Sequence, residues 1–394
     1  MNQKKLFIGL AVLAFAFGFI CCDGNIPVNG TRIPPKYWNI SYSLLDDNPD
    51  FLRAEAEVEN ESGGHLSVAY GRGIFVVGDI YGRISCSTNK GNSWTTVDSG
   101  LDGVSSIAYA GGIFIATSYG AEMAVSSDGI NWVVNETPSV AIRTLYSCNG
   151  IFAGEGFKGG LSISPDGISW NYGATPATFG GIAYGNGALV VVGEGKSGGK
   201  IYCSTDLGEE WEYNDDKDFP GICSVLFGDG VFVAFTLDGV LTSSNGLDWD
   251  IGGEYNNGRY AYIENDAHAY GGNAFVVSIN NKPVGTSFYY SIDNGRTWDR
   301  SAIDFDDEIA INSIAYGSGY FVAVGAFPGE WGFWDGEHWE YQYGNGSICY
   351  SGDMGKTWEA IDSQIDCFIS DVVYGDGTFV AVGNDGKIYY ANVR

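Results

Sequence analysis

The chain has 394 residues, 45% of them hydrophobic, and its 20 Lys+Arg face 48 Asp+Glu for a formal charge of −28. Such a surface excludes a nucleic-acid partner, which needs clustered Lys and Arg against the phosphates. Three His and eight scattered Cys offer little for a zinc centre, and no metal or cofactor is expected. With 59 Gly, 25 Tyr, 22 Phe and 11 Trp beside only 10 Pro, the composition reads as one large all-β body with many tight turns.

Lys4 and Lys5 precede an apolar run over residues 6–20, which ends at Cys21 and Cys22. This is the pattern of a signal h-region and is too short for a comfortable membrane span. No second apolar run of spanning length follows, so the body is expected to be soluble. The cysteine placement resembles a bacterial lipoprotein signal, which implies lipidation of the cysteine after the cleavage site. Cys22, with small Cys21 before it and Phe19 three before it, fits better than Cys21, which follows bulky Ile20. A plain secretory signal is the alternative. The expected organisation is a signal peptide over 1–21, a tether over 22–35 containing Gly24, Pro27, Gly30, Pro34 and Pro35, and a folded body over 36–394. The expected address is the bacterial cell envelope, outside the cytoplasm, with membrane contact through the lipid anchor only.

Two motifs alternate along the body. The first joins two apolar runs through a Gly/Asn/Asp turn after an aromatic residue, as in SVAYGRGIFVVG (67–78), SIAYAGGIFIAT (106–117) and DVVYGDGTFVAVG (371–383). Further copies begin at 144, 181, 224, 267 and 313, making eight hairpin signatures. The second motif is S-x-D-x-G-x-x-W, or one residue shorter, and seven copies run from STNKGNSW (87–94) to SGDMGKTW (351–358). Its Ser and Asp or Asn side chains can bind backbone N–H groups locally, Gly supplies a left-handed turn, and Trp buries a large face. The carrying residues are Ser87, Asp128, Asp166, Asp206, Asp293 and Asp353, with Trp94, Trp132, Trp170, Trp211, Trp249, Trp298 and Trp358.

This second motif resembles the Asp-box (BNR) repeat of the sialidase-like β-propeller superfamily, over residues 66–394. The resemblance implies a propeller whose boxes are a folding device on the face away from that family's active sites. Each unit then supplies four strands, A to D, with the aromatic-Gly hairpin as A and B and the box between C and D. After the seventh box come an eighth A–B hairpin and one C strand, GKIYYANV (386–393), with no D strand. Residues 36–43, KYWNISYS, are expected to supply it, giving eight four-stranded blades closed by an N-terminal strand. Seven blades is the alternative.

Cys203 and Cys223 lie on a C strand and just before the next A strand, and Cys349 and Cys367 repeat the relation. In an exported protein such pairs suggest disulfides between adjacent blades. Four small core residues are the other reading.

In a propeller the A–B and C–D turns share one face, here the bottom, and the B–C loops and D-to-A crossovers share the top. Additions to the minimal repeat occur at 251–265, 279–287 and 326–347, all assigned to the top of late blades. The last holds Trp331, Phe333, Trp334, Trp339, Tyr341 and Tyr343 among Glu330, Asp335, Glu337 and Glu340, a composition suited to sugar rings or peptide side chains. Tyr255, Arg259, Tyr260 and Tyr262 are candidates for an opposing wall, and a self-packed loop covering the rim is the competing reading. A monomer binding a protein or carbohydrate is therefore expected. An exported glycoside hydrolase of the sialidase-like type is the alternative, although no catalytic residue can be assigned. Arg32-Ile33-Pro34 resembles that family's Arg-Ile-Pro element, but Arg72, Arg296 and Arg300 fall on or towards the wrong face. An acidic surface would also repel an anionic sugar. The acidic runs 215–218 and 304–308 read as a solvated rim rather than a Ca²⁺ site.

Overall fold

A computed structural model describes Asn39–Ile40 and, from 67 to 393, all residues except 119, 121, 137–141, 149, 157–159, 174–177, 196–197, 214–218, 220, 237–238, 254–260, 263–266, 282–284, 304–308, 327–332, 335–338, 341–345, 366 and 385. For Asn39–Ile40, Ala261–Tyr262, Phe333–Trp334 and Trp339–Glu340 the strand pairing alone is described.

The protein is an eight-bladed β-propeller, and the described residues contain strands and turns but no helix. Blade 1 shows the plan: antiparallel strands Ser67–Gly71 (A), Ile74–Gly78 (B), Arg83–Ser87 (C) and Thr95–Asp98 (D). The A strands that follow are Ser106–Ala110, Ile142–Cys148, Thr178–Gly185, Ile222–Gly228, His268–Gly271, Ala310–Gly317 and Ile369–Gly375. Blade 8 continues with Thr378–Gly383 and Ile388–Asn392, and on its outer edge Asn39 pairs with Tyr390 and Ile40 with Tyr389.

A small residue at the end of each A strand explains how neighbouring blades approach. A Cβ on Gly71 would stand 2.3 Å from the ring of Tyr109, so blade 2 lays its aromatic directly over the blade-1 backbone. The contact recurs from Gly185 to Phe227, Gly228 to Tyr270, Gly271 to Tyr316 and Gly317 to Tyr374. It recurs again from Gly375 to Tyr70, so blade 8 meets blade 1 through the same device and the ring is continuous. Blade 3 departs from the pattern, because Ser147 stands where the others carry Tyr or Phe. The facing residue of blade 2 is Ala110 rather than Gly, which needs no notch for so small a neighbour.

Most of the core lies between blades. Val68, Phe75, Val77 and Trp94 of blade 1 pack with Val380, Val382, Ile388 and Tyr390 of blade 8, all buried. The tryptophan of each turn leans on the preceding blade. Trp358, fully buried, stacks on Phe288 of blade 6 with ring centroids 4.1 Å apart.

The turns close as their residue types dictate. In the second, Ser126 Oγ donates to Asp128 Oδ1 (3.0 Å) and accepts from Gly129 N (2.8 Å), while Asp128 Oδ1 accepts from Ile130 N and Asn131 N. Those donors hold the Asp128 carboxyl well below the usual carboxylate range. Asn89 and Asn245 make the same closure in the first and fifth turns. In five turns, those of Trp94, Trp132, Trp249, Trp298 and Trp358, the indole N–H then donates to the turn glycine's carbonyl, at 2.9 Å for Trp249 and 3.0 Å for Trp298, whereas the buried indole N–H groups of Trp170 and Trp211 do not.

The expected disulfides are absent: Cys203, Cys223, Cys349 and Cys367 all remain thiols. Cys349 belongs to the cluster between blades 6 and 7, whereas Cys367 belongs to the one between blades 7 and 8, so a blade separates them. Cys203 likewise lies between blades 4 and 5, while Cys223 packs towards blade 6. Proximity in sequence across a crossover does not bring side chains together when alternate strand positions face opposite sides of the sheet.

Candidate functional site

Two contacts fix which loops share a face. Asn186 Nδ2, in the blade-4 A–B turn, donates to Gly230 O of the next A–B turn (2.9 Å) and to Ser244 O of the blade-5 tryptophan turn (2.8 Å). Lys90 of the first tryptophan turn pairs with Asp376 of the blade-8 A–B turn at 3.1 Å. These turns therefore form the bottom, and the B–C loops and crossovers emerge opposite.

On the top, blade 7 departs furthest from the plan of blade 1, and blade 6 carries the other two additions. In blade 1 the B–C loop leaves at Gly78 and returns at Ile84, and it satisfies itself: Asp79 accepts from Tyr81 N, Arg83 N and Arg83 Nε. In blade 7 the paired residues Ala326 and Gly346 bracket residues 327–345, within which Phe333 pairs with Glu340 and Trp334 with Trp339 as a separate hairpin. Beneath it the blade is taller, because its D strand Thr357–Ile365 has nine residues against four in blade 1 and reaches Gly346 through Ile365. A parallel segment, Ala302–Ile303, arriving from blade 6, covers the outer edge of that D strand.

Blade 6 rises as well, to the height that blade 4 reaches with Ala188–Gly195 and Gly198–Ser204. Its B and C strands, Ala274–Asn281 and Gly285–Ser291, stay paired up to Asn281 and Gly285, so the addition expected as a loop over 279–287 is largely longer strand. Ala261–Tyr262, inside the expected crossover addition, pairs with Asn280 and Asn281. The first two additions are thus brought together at the top of blade 6, and the third rises from the next blade. Sequence reading missed both two-residue segments, Ala261–Tyr262 and Ala302–Ile303, because so short a run carries no periodicity.

Of the candidate binding residues, Phe333, Trp334 and Trp339 lie on the blade-7 hairpin. Trp331, Tyr341, Tyr343, Tyr255, Arg259 and Tyr260 fall outside the described residues, as do Cys22 and the acidic runs 215–218 and 304–308. Among the described residues no cluster of three or more His, Cys, Asp and Glu is placed to hold a metal. The carboxyl and imidazole groups that burial displaces most belong to blade interfaces. Burial pushes Asp371 up to about 6 although Val68 N, Ser313 Oγ and Val372 N all donate to it, and burial takes His268, bonded to Ser224 Oγ, down to about 4.

No family model matches the sequence, and no curated protein matches it. Solved structures share the fold. A computationally designed protein, Ika8, aligns with a TM-score of 0.59 at 13% identity over 85% of this chain and 98% of its own. BamB from Moraxella catarrhalis aligns at 0.58 and 9% identity over 84% and 99%. YCF48 bound to D1 peptide aligns at 0.50 and 13% identity over 84% and 91%.

Proposed function

We propose that the protein is an envelope-anchored lipoprotein whose propeller, its last blade completed by residues 36–43, holds a protein or glycan partner on the top of blades 6 and 7. One observation carries the reading: the largest addition, 326–347, leaves the top of blade 7 on the same face as the added pairing of Ala261–Tyr262 in blade 6, and it is rich in aromatic residues. Loops on a rigid scaffold are where binding resides. Aromatic planes beside carboxylates suit a peptide with apolar and basic side chains or a neutral sugar. A similar propeller, YCF48, has been solved with a peptide, which supports peptides as the first probes.

The test is a combined peptide and glycan array. Binding of a defined set of peptides or glycans, lost in the variant Trp331→Ala/Trp334→Ala/Trp339→Ala, is the expected result. Hydrolysis of an arrayed glycan would instead favour the glycosidase reading. For the anchor, Cys22→Ser is expected to release the protein from the detergent-extractable membrane fraction. Retention in that variant and in Cys21→Ser would overturn it.

A further inference from the structure

The bottom face carries a feature that the folding role of its turns does not require. Ten large apolar side chains are exposed among the described residues, and five of them, Ile130, Ile168, Leu207, Ile292 and Met354, lie at the tips of tryptophan turns. They belong to blades 2, 3, 4, 6 and 7 and are 38% to 68% exposed. Isolated apolar surface residues are ordinary, but one in each of five of the seven turns, on one face, is a pattern. The side chain comes from different turn positions, after the glycine in Ile130 and Ile168, before it in Leu207 and Met354, and after the serine in Ile292. The turn geometry therefore does not itself select it.

Two of the five also sit on strained backbone. Leu207 has φ 61° and Met354 φ 68°, a left-handed conformation that disfavours long apolar residues and suits Asn or Gly. At the same turn position blade 6 uses Asn294, φ 62°, and blade 1 uses Lys90, φ 63°. Leu207 and Met354 thus combine an unfavourable conformation with exposure and gain little burial in return.

The path of the chain points to what covers this crown. Asn39 pairs with Tyr390 and Ile40 with Tyr389, on a strand that runs from Ile388 at the top to Asn392 beside the A–B turn. Asn39 is therefore the bottom end of its pair, and the apolar run 6–20 and Cys21 and Cys22 precede it in the sequence. We propose that the tryptophan-turn crown seats on the surface of a zwitterionic lipid bilayer, with the blade 6 and 7 additions facing away from it. This rests on the anchor reading above. A bilayer interface accepts isolated aliphatic tips spread around a ring, whereas a protein partner concentrates its energy in a contiguous, desolvated centre. Inside the ring the A–B turns present exposed Arg72 and Asp229, one of each sign, which suit zwitterionic headgroups. Exposed Glu209, Glu210 and Asp248 beside the tips oppose an anionic surface.

The test is amide hydrogen exchange of the full chain in detergent and after transfer to phosphatidylcholine vesicles. The expected result is at least fivefold slower exchange over 127–131, 165–169, 205–210, 292–297 and 352–357 in vesicles, with 79–83 on the top unchanged. Adding phosphatidylglycerol should weaken the protection at low salt. The variant Ile130→Ser/Ile168→Ser/Leu207→Asn/Ile292→Ser/Met354→Asn should stay attached and melt no lower than the wild type, yet lose the protection. Attachment without protection of these turns overturns the crown and leaves the anchor standing, and failure of the wild-type chain to attach overturns both. Protection that grows with protein concentration without lipid assigns the crown to self-association and also overturns the proposal.

Discussion

The two faces of the propeller follow different rules. On the bottom, seven turns repeat one hydrogen-bonded closure, and the small residues that end the A strands repeat one close approach to an aromatic ring. On the top, blade 1 spans its B–C connection with a short, self-satisfied loop, while in blade 7 residues 327–345 lie between the paired residues Ala326 and Gly346 and the D strand is lengthened. The comparison teaches that repetition marks what the fold needs and that departure from it marks where something else is asked of the chain. Leu207 and Met354 extend the lesson to the bottom face, since there the side chains depart from the turn's own preference while its closure does not.

Substitutions separate the two kinds of region. The largest loss is expected at Trp358, fully buried on Phe288. Trp358→Ala should cost about 3–5 kcal/mol in chemical denaturation. An effect below about 1 kcal/mol would mean that the turn tryptophans do not knit the blades. Next comes the seam between the last and first blades. A Cβ on Gly375 would stand 2.3 Å from the Tyr70 ring, so Gly375→Ala should cost about 1–3 kcal/mol, whereas Gly386→Ala, with nothing near its Cβ direction, should fail only through its φ of 79°. Equal losses in the two variants would contradict the close-approach account.

A third, smaller effect concerns pH at the same seam. Asp371 bridges blades 7 and 1 through Ser313 Oγ and Val68 N, and burial raises its pKa from the ordinary range to about 6. Because the folded pKa lies above the unfolded one, its contribution is fully present below about 4 and is lost as pH rises through about 6. The protein should therefore gain roughly 1–2 kcal/mol between pH 7.5 and 5 from this half-buried group. Asp371→Asn should flatten that slope in thermal melts, and an unchanged slope would place the titration elsewhere. The carboxylates of the tryptophan turns, held low, act at more acid pH with the opposite sign. The smallest effect runs the other way. Leu207→Asn relieves a left-handed leucine and should stabilise by about 0.5–1 kcal/mol, and destabilisation would show that the Leu207 side chain packs after all.

Much of this was legible in the residues. The hairpin copies at Tyr70-Gly71 and Tyr374-Gly375 announce the blade count because turn chemistry and strand alternation are local. The link between Ala110 and Ser147 was not, since each looks like an imperfect copy until the two are seen to face each other. The cysteine pairs failed for a similar reason: 349 and 367 are near in sequence, but which side of a sheet each faces depends on register across a crossover. At the site, chain length alone placed the additions on one face. Joining Ala261–Tyr262 to Asn280 and Asn281 needed a pairing between segments too short to carry a pattern.

The central claim is that the top of blades 6 and 7 binds while the repeat folds, and one variant tests it. In Trp331→Ala/Trp334→Ala/Trp339→Ala, the thermal midpoint and the affinity for the array-selected peptide or glycan are measured on the same preparation. The account predicts an unchanged midpoint and a loss of affinity of about 30-fold or more, since an aromatic anchor commonly carries about 2 kcal/mol. A midpoint that falls together with an affinity that holds would show that these tryptophans pack the rim, and would contradict it.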